Sequence, residues 1–338
     1  MNKYIEMGRH AFNLNNLSHY RTHFMGVAAL MIIICHAPAS GVLMPWWLRR
    51  IFGFGNLGVD IFLFLSGLGC SYSLAKLTNG NLTQGGAIAW YKRRLYRVFV
   101  PYLIIYFPYC LLFYLLGKYT VCDCLLCLSA LEYWFFHRGA WFISLIIVLY
   151  ILAPLMYCML SAKRKYLIAI ILIVLLTILS NLQIVEPDNM SVFYNIQSAF
   201  SRVPCFILGL TVAQDCKDKK SIPIQWLLLL AIVGIVIRIS LDISSGLEWT
   251  LVPLLLCIIN VVVKILGNIR WIDCFLKFTG GISLESYLTN ITINSAFRAI
   301  IPTYISSSLF YGRWIEYAVV AIGGLLMAYV VNRLVKLN

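Results

Sequence analysis

The 338-residue chain is 61% hydrophobic and 12% charged, with a mean hydropathy of +0.85 and a formal net charge of +14. A soluble globule of this size needs more polar surface, so the composition excludes one and predicts an all-α, polytopic membrane bundle. The cations are scattered through short loops rather than gathered on one folded face, which leaves a nucleic-acid partner without support.

Ten apolar runs of the length that crosses a hydrocarbon core of about 30 Å predict helices near 24–45, 57–75, 98–117, 141–160, 166–183, 198–214, 225–241, 249–266, 278–298 and 314–333. They form a single membrane domain over 1–338, with 1–23 as a polar leading segment and 24–333 as the bundle. Lys and Arg accumulate in cytoplasmic loops. An N-terminus inside puts 19 of the 27 basic residues on the cytoplasmic side and six on the other, with Arg202 and Arg238 in or near spans. Ten crossings then bring the C-terminus back inside. Lys3, Arg9 and Arg21 before the first run and Ala37-Pro38-Ala39 after it superficially resemble a cleavable signal. The leader is long for one, and cleavage would discard His36.

His36 lies inside the first run, FMGVAALMIIICHAP. An intramembrane ionisable residue is a functional candidate because burying charge in lipid is costly; a neutral, hydrogen-bonded packing histidine is the other reading. The second run, NLGVDIFLFLSGLGCSYSL, brings Asp60 into the membrane, followed by Ser66, Gly67 and Gly69. Small residues at that spacing either let helices touch or open backbone to a ligand. The third begins WYKRRLYRVFVPYLI. Arg93 and Arg97, four apart, share a helix face and with Arg94 suit a ligand bearing several phosphates, or anchor the helix among lipid headgroups. Cys122, Cys124 and Cys127, with His137 beyond, invite a metal or disulfide reading, but the spacing lacks paired knuckles and no metal is expected. Arg202 and Glu285 are candidates for an ion pair between helices.

GVDIFLFLSG at 58–67, KRRLYRVFVPY at 92–102, AWFISLIIVLYILAP at 140–154, FSRVPCFILGL at 200–210 and TGGISLESYLTN at 279–290, with the run ending in His36, together resemble the acyltransferase family 3 membrane proteins. The resemblance covers nearly the whole chain. It implies transfer of an acyl group, most often acetyl, from acyl-CoA to a hydroxyl of a cell-envelope or exopolysaccharide sugar or lipid-linked glycan. The implied setting is a bacterial cytoplasmic membrane, with no permanently bound cofactor. His36 then stands as general base, with Asp60 or Glu285 to orient it. Arg93, Arg94, Arg97 and Arg21 would hold the donor, and Ser66, Trp141, Arg202 and Tyr287 would line the substrate cavity. Two positions depart from the family. Met25 stands where it usually carries arginine, eleven residues before the histidine and so about 16 Å away on nearly the same face; Arg21, one turn earlier, is the candidate replacement. Asn290 stands where the penultimate-helix signature often ends in histidine. A secondary carrier or flippase using the same buried charges, and an inactive relative, are the competing readings; the two halves show no internal repeat of the kind carriers carry.

Overall fold

The computed structural model describes residues 11–78, 84–182, 192–243, 245–304 and 314–337. It opens on a short strand, β1 (Ala11–Asn13), and helix α1 (Asn15–His19). The long helix α2 (Arg21–Ala39) leads to the short α3 (Trp46–Gly53), then to α4 (Leu57–Thr78) and α5 (Gln84–Leu115). Short helices α6 (Val121–Leu128) and α7 (Glu132–Phe136) precede α8 (Trp141–Leu160) and α9 (Lys165–Leu179). Next come α10 (Val192–Phe200), α11 (Val203–Lys217) and a second strand, β2 (Ser221–Pro223). The chain closes with α12 (Ile224–Ser240), α13 (Val252–Leu266), α14 (Arg270–Gly281), α15 (Ser283–Tyr304) and α16 (Trp314–Leu337).

Every apolar run has a helix at its place, and the molecule is an integral membrane protein. Among the described residues, six helical stretches are long and apolar enough to cross a bilayer: Arg21–Ala39, Trp46–Leu77, Gly85–Leu115, Trp141–Leu160, Val192–Lys217 and Trp314–Leu337. The apolar helices α9, α12 and α13 have 15, 17 and 15 residues, or about 22–26 Å at the α-helical rise, less than a core of about 30 Å. α15 is 22 residues long but carries Ser, Thr and Asn along its first half. Polar and apolar groups are distributed as a lipid solvent demands. Ile170, Ile171 and Val174 of α9 and Ile232, Ile235 and Val236 of α12 face outward, while Asp60, Asn195, Thr279 and Thr289 are buried.

Two close approaches set the frame around the site. α4 and α11 touch through glycines: a Cβ on Gly67 would lie 2.2 Å from Phe206 O, and one on Gly209 would lie 2.0 Å from Phe64 O. Gly67 is therefore a packing residue, in the manner of small-residue membrane interfaces. α2 and α15 run parallel along their upper halves, with His36 against Asn290 and Ser40 against Asn294, and Arg298 donates to Ala39 O at 2.9 Å.

The structure differs from the sequence expectation in four places. The leading segment is not simply polar overhang: β1 pairs antiparallel with β2, Phe12 opposite Ile222, and Phe12, Leu14 and Leu17 are buried. The third run starts at Gln84 rather than near 98, because the arginine-bearing stretch has no helix breaker and continues the helix beyond the apolar run. Residues 118–140, left between the third and fourth runs, hold two short helices; Thr120 and Asp123 form a reciprocal capping box on α6. The run expected at 198–214 is broken at Ser201-Arg202 ahead of Pro204, which takes an early position in α11. Lys3 and Arg9 lie outside the described residues, as does the last residue of the run expected at 166–183.

Candidate active site

The imidazole of His36 is half-buried near the C-terminal end of α2. Its Nδ1 is 2.6 Å from Oδ1 of Asn290. An amide oxygen only accepts, so Nδ1 carries the proton and Nε2 keeps its lone pair, the tautomer a general base requires. The residue that departs from the family signature is thus the one that orients the histidine. On the same helix as Asn290, which also meets the Tyr317 side chain, the Tyr287 hydroxyl is buried against the Phe142 backbone, and the Tyr106 hydroxyl is buried without a hydrogen-bond partner. An unsatisfied buried polar group costs about 1–3 kcal/mol, so the Tyr106 hydroxyl is a donor that a ligand could use. Tyr287 lies just under one turn before Asn290 on α15, its ring edge-on to Phe142 at 5.4 Å. Tyr106 comes from α5, stacked on Tyr102 at 4.3 Å, and is close enough to Tyr287 for the two hydroxyls to interact electrostatically. Neither Tyr106 nor Phe142 was singled out by the sequence, since a tyrosine or phenylalanine in an apolar run reads as core.

A second group lies at the opposite end of α2. Arg94 donates to Gly69 O at 2.7 Å and to Ser73 Oγ at 2.8 Å. Its guanidinium lies over the rings of Trp90 and Tyr150 at 5.7 and 5.6 Å. Trp90 Nε1 also donates to Ser73 Oγ, at 2.8 Å, which fixes the platform. Arg21 donates to Leu65 O at 3.1 Å, its Nε is buried without a partner, and Arg97 and Arg94 both act on it electrostatically. A Cβ on Gly69 would fall 2.7 Å from Arg21 Nη2, so this glycine makes room for the arginine while Gly67 serves packing. Ser66 sits beside the Tyr150 hydroxyl. Arg21, Arg94 and Arg97 bring three guanidiniums together; Arg93, one turn before Arg97 on the same helix face, is exposed, as Arg97 is. Arg21 thus joins the cationic cluster from the first long helix, where the sequence placed it as the replacement for the residue lost at Met25. Like charges held together largely by backbone carbonyls form a site for a polyanion.

Asp60 and Glu285 do not contact His36. Asp60 is fully buried and accepts from Arg202 Nη1 at 2.5 Å, with Cys205 Sγ at 3.6 Å from its other oxygen. Glu248 completes the network, 3.9 Å from Arg202 and 3.6 Å from Arg238. The ion pair expected between Arg202 and Glu285 is therefore replaced by one between Arg202 and two other carboxylates. Arg202 reaches Asp60 because the break before α11 frees it from the helix, and Glu248 was missed because a lone acid between two apolar runs carries no spacing signal. Glu285 instead accepts from Asn332 of α16 at 2.8 Å and faces Arg97 of the cationic cluster. Trp141, at the start of α8, is half-buried against Tyr133 at a ring distance of 6.5 Å. Cys122 is exposed, Cys124 half-buried and Cys127 buried, and His137 bonds Asn195 at 2.7 Å rather than a thiol. Among the described residues no group of three or more His, Cys, Asp or Glu side chains is arranged to hold a metal.

α2 therefore carries an oriented histidine at one end and a cationic cluster at the other, 15 residues and about 22 Å apart along the axis. No curated protein and no solved structure matches the chain. The family model described as an acyltransferase domain matches residues 25–333, nearly the whole bundle. The chain belongs to acyltransferase family 3.

Proposed function

We propose that the protein moves an acyl group, acetyl above all, from acyl-CoA to a hydroxyl of a cell-envelope or exopolysaccharide sugar, with His36 as general base. The observation that carries this reading is the His36–Asn290 bond, which leaves Nε2 free to take a proton. The phosphates of CoA sit on Arg21, Arg94 and Arg97 at the cytoplasmic mouth, and its long flexible arm carries the thioester along α2. The acceptor hydroxyl gives its proton to Nε2 as its oxygen attacks the thioester carbonyl. Tyr106 supplies a donor for the resulting oxyanion. Collapse expels the CoA thiolate, which recovers the proton from the imidazolium. Ten crossings with both termini cytoplasmic, in a bacterial inner membrane, fit the distribution of cations. The buried charges that a carrier would use are instead satisfied among Asp60, Arg202 and Glu248, which favours the enzymatic reading.

The test is acyl transfer by purified variants, with envelope glycans compared by mass for a difference of one acyl group. His36→Gln keeps hydrogen bonding but cannot act as a base, and the expected loss is about 10²–10⁴-fold in kcat at normal protein level. Arg94→Ala with Arg97→Ala should instead raise the acyl-CoA requirement. Transfer by well-folded His36→Gln at the wild-type rate would falsify the mechanism.

A further inference from the structure

One end of α4, α8, α9 and α11 lines a partly open cavity of about 400 Å³, within the range of about 300–1,000 Å³ typical of small-ligand pockets. It is separate from the arginine cluster. Ser71 of α4 lines it, whereas Gly69 and Ser73 of the same helix hold Arg94. Three lysines, Lys163, Lys165 and Lys217, also line it, together with Tyr157 and Ser161. One lysine has a structural role. Lys165 donates to Thr211 O and to Asp215 Oδ2, both at 3.2 Å. Asp215 is then fully engaged, since it also accepts from Lys220 at 2.8 Å and from the Tyr166 hydroxyl at 2.5 Å. Among the described residues neither Lys163 nor Lys217 has a carboxylate within ion-pair distance, and Lys217 is placed over the Tyr72 ring at 5.2 Å. Two exposed ammonium groups thus stand at the mouth of a cleft whose wall holds the buried hydroxyl of Ser71, whereas an anchor for lipid headgroups would need only a flat surface.

We propose that this cavity binds a phosphate group, with Lys163 and Lys217 as its cations and the buried Ser71 as a hydroxyl donor. The phosphate has two sources, an anionic phospholipid headgroup or the 3′-phosphate end of a nucleotide. The second source rests on the acyl-CoA reading above and the first does not.

The experiment uses the full chain purified in detergent, without any acyl-transfer assay, so its outcome is independent of that reading. Phosphatidylglycerol is titrated by native mass spectrometry and 3′,5′-ADP by calorimetry, on wild type, on Lys163→Gln with Lys217→Gln, and on the control Lys264→Gln. Both lysines are exposed, so the double variant should fold, which its thermal unfolding verifies. Wild type should bind one of the probes at a single site, and the double variant should weaken that binding at least about tenfold, as loss of a charge-assisted hydrogen bond requires. The control should bind as wild type does. A loss confined to phosphatidylglycerol names the lipid, and one confined to 3′,5′-ADP names the nucleotide. Equal binding of both probes by wild type and double variant, or no binding of either by wild type, overturns the proposal.

Discussion

A neutral amide in place of a charged partner changes what His36 requires. A carboxylate would stabilise imidazolium as well as orient the ring, whereas Asn290 can only fix the tautomer. Asn290→Ala should therefore lower kcat by about 10- to 100-fold, less than loss of the base itself, with acyl-CoA affinity unchanged. Steady-state kinetics that showed a raised acyl-CoA KM and an unchanged kcat would assign Asn290 elsewhere. Glu132, in the folded segment between α5 and α8, offers a pH test. Its carboxyl is raised by burial, which outweighs the hydrogen bonds from the Cys127 thiol and from Tyr119 at 3.1 Å. A carboxyl raised in the folded state favours folding while protonated, and that contribution is lost as pH rises through its folded value. Glu132→Gln should then unfold at a higher temperature than wild type near neutral pH and at the same temperature in acid. A variant less stable than wild type at neutral pH would show that the ionised form is the one the fold uses.

Helix contacts were partly legible before the structure. His36, Asp60 and the arginine run stand out because charge is rare in apolar sequence, and the helices themselves follow from hydropathy. Which carboxylate meets which arginine does not follow, because Arg202 and Asp60 are 142 residues apart and no local period links them. The roles of Gly67 and Gly69 were also undecidable from spacing alone; two residues apart they face different neighbours, one a backbone and the other an arginine. The glycine pair between α4 and α11 gives a test at this scale. Gly209→Val places side-chain atoms against backbone that cannot withdraw, at an overpacking cost of about 1–3 kcal/mol. Thermal unfolding in detergent should register it as a lowered Tm, and an unchanged Tm would mean that the two helices separate freely. Gly69→Ala meets only the end of a flexible arginine and should leave stability nearly intact.

For the molecule as a whole, native thiols report orientation. Cys122 and Cys274 are both exposed, the first in the segment between α5 and α8 and the second in α14. With both termini inside, a membrane-impermeant maleimide applied to intact cells should label Cys122 and spare Cys274, and lysis should expose both. Labelling of Cys274 in intact cells would invert the topology. The pairing of β1 with β2 has a consequence in time. Residues 11–13 find their partners only at 221–223, so during synthesis at about 5–20 residues per second the first strand waits roughly 10–40 s for its mate. Throughout that interval Phe12, Leu14 and Leu17 have no finished surface to cover them. This clasp is thus a long-range one that joins an early part of the nascent chain to its middle, and a cut between residues 13 and 20 would remove it without touching any crossing helix.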